Sequence, residues 1–220
     1  MSQIFVLEGL DGVGKSTIAD SMLHMGVVDE VIALPTYHTY GSLYRNYMEQ
    51  EKERHDSYKG MMLGMLDRQD IMSTIREKLD TGKRIALDRW SLSGIAYEAA
   101  HIHYAFSECG ERDPWEHTEQ EVIDEMVDFM EWAFITETEL LQNPFFPVVY
   151  IEALNARGNE KSKYDVNSAF QNSVRYAYEI FSMSIAAEHG YMIDKIFVDH
   201  KEQDVNSAIA DIRGALEVQH

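Results

Sequence analysis

Short apolar runs alternate along the chain with longer segments whose apolar residues recur at helical spacing. The runs are bounded by Gly, Pro or charged residues and predict five strands, at residues 4–8, 30–34, 84–88, 147–152 and 195–198. The longer segments predict helices at residues 15–25, 42–53, 58–79, 118–141, 167–189 and 203–216. Residues 36–41 indicate a polar turn, and the stretch from residue 100 to the helix at 118 indicates a loop.

Strands that alternate with helices predict an α/β fold, in which a parallel sheet carries helices on both faces. We therefore expect a three-layer structure built on a five-stranded parallel sheet. The 220 residues suit one domain that spans residues 1–220, and the sequence contains no linker, internal repeat or low-complexity run that would divide it.

Residues 9–17, between the first strand and the first helix, form the glycine-rich stretch GLDGVGKST. It fits the G-x-x-x-x-G-K-[ST] template, in which backbone N–H groups wrap a phosphate, Lys15 reaches the outer phosphates and the Ser16 hydroxyl can bind magnesium. The alternative is a glycine-rich turn with a solvated Lys15. The template predicts a P-loop fold and a phosphate site at Gly9, Gly12, Val13, Gly14, Lys15, Ser16 and Thr17, but alone it does not distinguish a kinase from a GTPase or a motor.

A second anchor is Asp88, the last residue of the strand at 84–88, with Arg89 directly after it. Ligands of open α/β sheets gather at the carboxyl ends of the strands, so both residues are expected beside the phosphate loop. A carboxylate there can hold magnesium, usually through water, and an arginine can bind a phosphate with two hydrogen bonds. A salt bridge at the strand end is the alternative interpretation.

The net charge of −19 argues against a duplex nucleic-acid partner, because 19 Lys and Arg beside 38 Asp and Glu do not readily supply the basic face that this requires. Small phosphorylated ligands remain compatible with this charge if the few cations converge. No apolar run has transmembrane length, and the single cysteine, Cys109, is typical of a reducing compartment. We therefore expect a cytoplasmic protein with no membrane partner.

Residues 155–164 form a polar, locally basic segment that carries Arg157, Lys161 and Lys163 in an otherwise acidic chain. Together with Arg89, this segment suggests two phosphorylated ligands that face one another, as in a nucleoside monophosphate kinase. The sequence has no Asn-Lys-x-Asp motif, which a GTPase would use to read its base. Asp88 is also followed by Arg89 rather than by the second acid that a typical ATPase would favour.

With these features the sequence resembles the thymidylate kinase family of P-loop nucleoside monophosphate kinases over nearly its whole length. The matching motifs are residues 8–17, 66–68, 88–97, 156–158, 163–165 and 169–171. The resemblance implies transfer of the γ-phosphate of ATP, with Mg²⁺, to dTMP or a related deoxynucleoside monophosphate. It also implies a lid at about residues 153–166 and suggests a homodimer. An acidic helical segment at about residues 108–142 has no role that the sequence reveals.

The resemblance also implies roles for individual acceptor-site residues. Asp11 would contact the acceptor's sugar, Arg68 its base and Arg89 its phosphate. Tyr97 would crowd the ribose 2′ position and so favour deoxynucleotides. The full implied acceptor site comprises Asp11, Tyr37, Gly64, Arg68, Arg89, Ser93, Tyr97, Tyr164 and Gln171.

The catalytic residues are implied in the same way. Family members carry a catalytic arginine either in the phosphate loop or in the lid, and the loop position here is Gly12. That duty would therefore fall to Arg157, with Lys161 or Lys163 assisting. Ser16 and Asp88 would serve the metal, with Asp88 positioning either magnesium or the acceptor phosphate. The implied catalytic residues are Lys15, Asp88, Arg89 and Arg157.

Two departures from the family pattern lie in the acceptor site. Tyr37 stands where the family usually has an arginine on the acceptor phosphate, and Gly64 stands where it has a phenylalanine that stacks on thymine. Met61, Met65 or Tyr37 could fill the second gap. We expect an enlarged site that accepts a base other than thymine, such as a purine or a modified pyrimidine.

Two other functions stay open on the sequence alone. A deoxynucleoside kinase would phosphorylate thymidine itself, and often carries Glu-Arg-Ser where this chain has Asp88-Arg89-Trp90. A catalytically silent nucleotide-binding module would bind ATP and produce no ADP with any monophosphate.

Overall fold

The computed structural model describes residues 3–50, 55–107, 118–142, 146–153, 168–198 and 204–218. It contains five strands, β1 (Ile4–Glu8), β2 (Glu30–Ala33), β3 (Ile85–Asp88), β4 (Val148–Ala153) and β5 (Ile193–Val198). They form a central parallel sheet in the order β2-β3-β1-β4-β5. β1 and β3 are buried along their whole length, as expected for central strands covered on both faces. The predicted five-stranded parallel sheet is confirmed.

The helices are α1 (Lys15–His24), α2 (Thr39–Gln50), α3 (Ser57–Asp80), α4 (Ser91–Ser107), α5 (Glu119–Leu141), α6 (Ser168–Phe181) and α7 (Val205–Val218). They form two groups. The first contains α1 and α7, which contact each other. In the second, α3, α4, α5 and α6 pack together and α2 packs on α3. A π-helical segment, Ser182–Ala186, continues directly from α6.

The main difference from the sequence prediction is α4. α4 extends to Ser107, so residues 100–107, which the sequence predicted to be part of a loop, are helical. Ile95, Ala96, Ala99 and Ala100 are fully buried, because α4 packs against α3, α5 and α6. A helix that is covered on several sides lacks a polar stripe, so the pattern did not reveal it.

Smaller differences occur at the ends of other elements. α2 begins at Thr39, inside the predicted turn, and the N–H of Ser42 donates to the carbonyl of His38 at 2.8 Å. α5 begins close to its predicted position, because Thr118 and Glu121 form a capping box. No helix in the described residues is both long and apolar enough to cross a membrane.

The strand register brings the two predicted anchors together. Leu7 of β1 pairs with Asp88 of β3, so the loop that follows β1 begins beside the end of β3. The N–H of Arg89 also donates to the carbonyl of Leu7 at 3.0 Å. The carboxyl ends of β1 and β3 therefore form one edge, as expected for a ligand site in an open α/β sheet.

Candidate active site

The phosphate loop, residues 9–17, depends on glycine conformation at three positions. Gly9, Gly12 and Gly14 have φ values of 140°, 76° and 87°, which residues with a side chain rarely adopt. A Cβ atom at Gly9 would also overlap the carbonyl oxygen of Ile151 on β4. Gly14 caps α1, so the positive end of that helix dipole faces the loop.

Lys15 is folded back into this loop. Its ammonium donates to the carbonyl oxygens of Gly9 at 3.0 Å and Leu10 at 2.6 Å, and only 5% of the residue is exposed. Burial lowers the pKa of the ammonium to about 7, and the neighbouring Arg89 cation acts in the same direction. A phosphate held by the loop would favour the charged form, so we expect its binding to be coupled to proton uptake.

Replacing Lys15 with methionine should remove a pH-dependent cost to folding. The ammonium has a pKa of about 7 in the folded chain against a reference value of 10.5, so between these values the unfolded chain binds more protons and stability rises with pH. Lys15→Met is expected to be more stable than the parent at pH 7.5, and its advantage should shrink by about 2 kcal/mol by pH 9. Urea unfolding across this range measures the difference; an advantage that does not change with pH would contradict the prediction.

Ser16 and Asp88 form the oxygen pair expected for magnesium. The Ser16 hydroxyl donates to Oδ2 of Asp88 at 2.5 Å, which joins the start of α1 to the end of β3. Magnesium sites in phosphate-transfer enzymes usually combine one or two protein oxygens with phosphates and water, and this pair fits that chemistry. Among the described residues no three His, Cys, Asp or Glu side chains cluster as an all-protein metal site.

Arg89 has an unusual backbone and a dense set of partners. Its φ of 72° lies in the left-handed region, which non-glycine residues adopt mostly where surrounding contacts enforce it. Its guanidinium donates to the carbonyl of Gly9 at 3.1 Å and pairs with the Asp11 carboxylate. Burial opposes ionisation of Asp11, but the cations of Arg89 and Lys15 outweigh it and lower the pKa of that carboxyl.

Three further predicted acceptor-site residues surround this ion pair. The Arg89 guanidinium donates to the Ser93 hydroxyl at 2.9 Å and to the Tyr97 hydroxyl at 3.2 Å. The Gln171 amide donates to Oδ2 of Asp11 at 3.4 Å. The structure therefore brings together residues from the phosphate loop, α4 and α6.

Glu8 holds this arrangement in place, although its role was not evident from the sequence. Its fully buried carboxylate accepts from the N–H groups of Trp90 at 2.9 Å and Ser93 at 3.2 Å, and from the Ser93 hydroxyl. Burial raises the pKa of the carboxyl. These bonds fix the start of α4 against β1 and so position Arg89 between them. The signal in the sequence is an acid at the end of an apolar strand.

Two cavities meet at the end of the sheet. The loop cavity, about 580 Å³, is lined by the phosphate loop, Asp88 and the start of α7, whereas the helix cavity, about 500 Å³, is lined mainly by α2, α3 and α4. Within the described ranges, four residues line both cavities and so form their boundary: Asp11, Leu34, Arg45 and Arg89. Two ligands could thus approach one another across a boundary that carries two arginines.

Arg68 lies in the wall of the helix cavity and is paired with a buried carboxylate. Its exposure is 3% and that of Glu137 on α5 is 0%. Nε pairs with Oε1 of Glu137, Nη2 donates to Oε2 at 3.1 Å, and the Ser91 hydroxyl donates to Oε1 at 2.9 Å. Nη1 lies against Gly64 and Gly94, where added Cβ atoms would be 3.3 Å and 3.1 Å away.

Gly64, a predicted acceptor-site residue, is buried behind the lining of the helix cavity and leaves no open space beside it. A Cβ atom there would lie 3.3 Å from Arg68 Nη1 and 3.3 Å from Cε1 of Tyr44 on α2. The space left by the missing phenylalanine is therefore bordered by Tyr44 and Arg68. None of the three residues that the sequence offered for this position lines the helix cavity, since two are buried in the core and one is largely exposed: Met61, Met65 and Tyr37.

Tyr44 is anchored by a buried polar cluster. Its hydroxyl donates to Oε1 of Glu98 at 2.7 Å. On the other side of the same carboxylate, Nε2 of His55 lies 2.5 Å from Oε2 of Glu98. The His55 ring stacks on His101 with centroids 3.6 Å apart. Burial raises the pKa of Glu98, and a Cβ atom at Gly60 would overlap its carboxylate. This cluster fixes the aromatic wall of the helix cavity.

Arg45 on α2 was not predicted as a site residue. It lies where Tyr37 departs from the family pattern, with its guanidinium carbon 4.3 Å from the centroid of the Tyr37 ring. The Tyr37 side chain itself is 84% exposed and does not line either cavity. No local sequence signal marks Arg45, because its proximity to the phosphate loop depends on the packing of α2.

The lid residues Arg157, Lys161, Lys163 and Tyr164 lie outside the described residues, as does Cys109. Their implied roles, like those of the other site residues, stay predictions. The acidic segment is described only from residue 118 onward, where α5 contributes Glu137, the buried partner of the cavity-lining Arg68.

Known proteins match both the sequence and the fold. The family model for thymidylate kinase matches residues 7–114. The thymidylate kinase of Homo sapiens is 28% identical over 115 residues, covering 50% of this chain and 54% of that protein. That of Brachyspira hyodysenteriae is 34% identical over 103 residues, covering 44% and 50%. The chain thus spans about half the length of these curated relatives.

The fold extends further than the sequence match. A solved structure of thymidylate kinase from Candida albicans superposes with a TM-score of 0.66, covering 99% of this chain and 92% of that one, at 17% identity. At this identity the superposition demonstrates a shared fold. The predicted P-loop α/β architecture is therefore confirmed.

Proposed function

We propose that this chain, whose residues 7–114 match the thymidylate kinase family, acts as a member of that family and transfers the γ-phosphate of ATP to dTMP or a related deoxynucleoside monophosphate. The observation that carries this proposal is the boundary between the two cavities, where Arg89 and Arg45 border both. Phosphoryl transfer between two anionic ligands requires cations at the point where they meet.

ATP would occupy the loop cavity and the acceptor would occupy the helix cavity. The phosphate loop and Lys15 would bind the ATP phosphates, and Arg89 would bind the acceptor phosphate. Asp11, held by Arg89 and Gln171, would orient the acceptor sugar. In-line transfer then depends on alignment of the two phosphates and on neutralisation of charge at the transferred group.

Ser16 and Asp88 would hold Mg²⁺, which would supply charge neutralisation on the ATP phosphates. Their 2.5 Å hydrogen bond leaves two oxygens side by side at the edge of the loop cavity, which fits such an ion. Tyr97, beside Arg89 and Asp11, would restrict the space near the sugar 2′ position and favour deoxynucleotides. Nη1 of Arg68 would be the group nearest the base.

Replacing Arg157 with alanine is expected to lower kcat by at least about a hundredfold, because the variant would lack a cation that stabilises the negative charge of the transferred phosphoryl group in the transition state. The KM values for both substrates should change far less. Lys161→Ala and Lys163→Ala, which remove the implied assisting lysines of the same segment, should lower kcat much less than Arg157→Ala. An unchanged kcat in Arg157→Ala would assign the role to one of these lysines.

The test of the function is a steady-state assay of ADP formation with ATP, Mg²⁺ and each natural deoxynucleoside monophosphate. Turnover with dTMP or a related monophosphate, and none with thymidine, is the expected result. Turnover on thymidine would instead identify a deoxynucleoside kinase. ATP binding without ADP formation on any acceptor would identify a silent nucleotide-binding module.

The same assay decides the base preference. Gly64 itself opens no space, because Tyr44 and Arg68 border it, but these two side chains differ from the stacking phenylalanine of the family pattern. We therefore expect activity beyond dTMP, on a purine or a modified pyrimidine deoxynucleotide. A strong preference for dTMP alone would contradict this part. The single domain with its lid, the homodimer and the cytoplasmic location stay predictions from the sequence.

A further inference from the structure

Among the residues that the structure describes, Arg45 and Arg89 are the cations that border both cavities. The two arginines differ in their surroundings. Arg89 is paired with Asp11, whereas within the described part of the chain no carboxylate forms an ion pair with Arg45. In a chain with a net charge of −19, an arginine without a carboxylate partner at this boundary can accept an anionic ligand.

The guanidinium of Arg45 is held in place by backbone and by an aromatic ring. Nε donates to the carbonyl of Thr36 at 3.3 Å, Nη2 donates to the carbonyl of Pro35, and the Tyr37 ring lies 4.3 Å from the guanidinium carbon. These contacts orient the side chain without neutralising its charge. A guanidinium has five N–H donors, so further donors are available to a ligand.

The turn that holds Arg45 is itself fixed from α3. The N–H of Thr36 donates to Oδ2 of Asp67 at 2.8 Å and its hydroxyl donates to Oδ1 at 2.5 Å. Asp67 is 1% exposed and directly precedes Arg68. The position of the Arg45 guanidinium is therefore set by two buried bonds to the same helix that carries the cavity wall.

We propose that Arg45 binds the phosphate of the acceptor nucleotide together with Arg89, each from its own side of the boundary between the cavities. This inference rests on the proposed function and adds a phosphate-binding residue to it. Tyr37 would then act as a positioning residue, whose ring supports the Arg45 guanidinium. An arginine placed at position 37 should be able to reach the same region, because the two side chains are in contact.

The test uses the full chain with Arg45→Met, with Arg175→Met as a control that removes an exposed arginine of α6. We expect the acceptor KM and the Kd for the monophosphate to rise on the order of thirtyfold in Arg45→Met, as a charge-assisted bond is lost. The KM for ATP should stay within about twofold, which also reports that the loop cavity is intact. Arg175→Met should behave as the parent.

A relocated arginine distinguishes binding from a structural role. In the Arg45→Met background, Tyr37→Arg should recover most of the acceptor affinity, whereas loss of a merely structural contact would not be repaired. An unchanged acceptor Kd in Arg45→Met would overturn the inference while leaving the function standing. A parent chain that binds and phosphorylates no monophosphate would overturn both.

Discussion

Arg89→Met is expected to lower kcat/KM for the acceptor by at least about a thousandfold, because one cation would be lost from both the bound phosphate and the transition state. The structure adds a second reason. Arg89 pairs with Asp11 and helps to lower the pKa of that carboxyl, so the variant would also disturb the residue that we propose orients the acceptor sugar. Steady-state kinetics with the best acceptor from the monophosphate assay measures the effect.

Two control variants separate this role from general damage. Arg84→Met removes an exposed arginine next to the opposite end of the same strand, where it pairs with Asp29, and should leave kcat/KM within about threefold. Arg89→Lys keeps the charge and loses the planar fork, so it should recover only part of the activity. The ATP Kd should change little in either Arg89 variant. If Arg84→Met also lowered kcat/KM about a thousandfold, the proposed role of Arg89 would be contradicted.

The phosphate-loop side of the candidate site could be predicted from sequence because its groups are close along the chain. The phosphate loop is one continuous stretch, and its backbone conformation follows from its glycines. Asp88 and Arg89 needed one further rule, that the carboxyl ends of parallel strands share an edge. The register of β1 with β3 bears out that step, since Leu7 pairs with Asp88.

The wall of the helix cavity could not be predicted, because its contacts join distant parts of the chain. Glu137 pairs with Arg68 across 69 positions, and Tyr44 reaches Glu98 across 54. A glutamate inside a strongly acidic helix resembles its solvated neighbours until the packing of α5 is known. Arg45 is similar, since only the packing of α2 brings it to the boundary between the cavities.

Glu137→Ala is expected to lower the free energy of unfolding by about 3–5 kcal/mol, since it would leave the Arg68 charge buried without a partner. The side chains are 3% and 0% exposed, so water cannot replace the lost carboxylate without rearrangement. Chemical denaturation measures the change.

Arg68→Met combined with Glu137→Leu should recover most of the stability, because two apolar side chains remove both buried charges together. That double variant should still bind ATP while losing acceptor affinity if Arg68 contacts the base. A Glu137→Ala variant as stable as the parent would contradict this prediction. It would show that the Arg68 guanidinium can move to contact solvent or another partner, so the cavity wall would be less rigid than its two hydrogen bonds to Glu137 indicate.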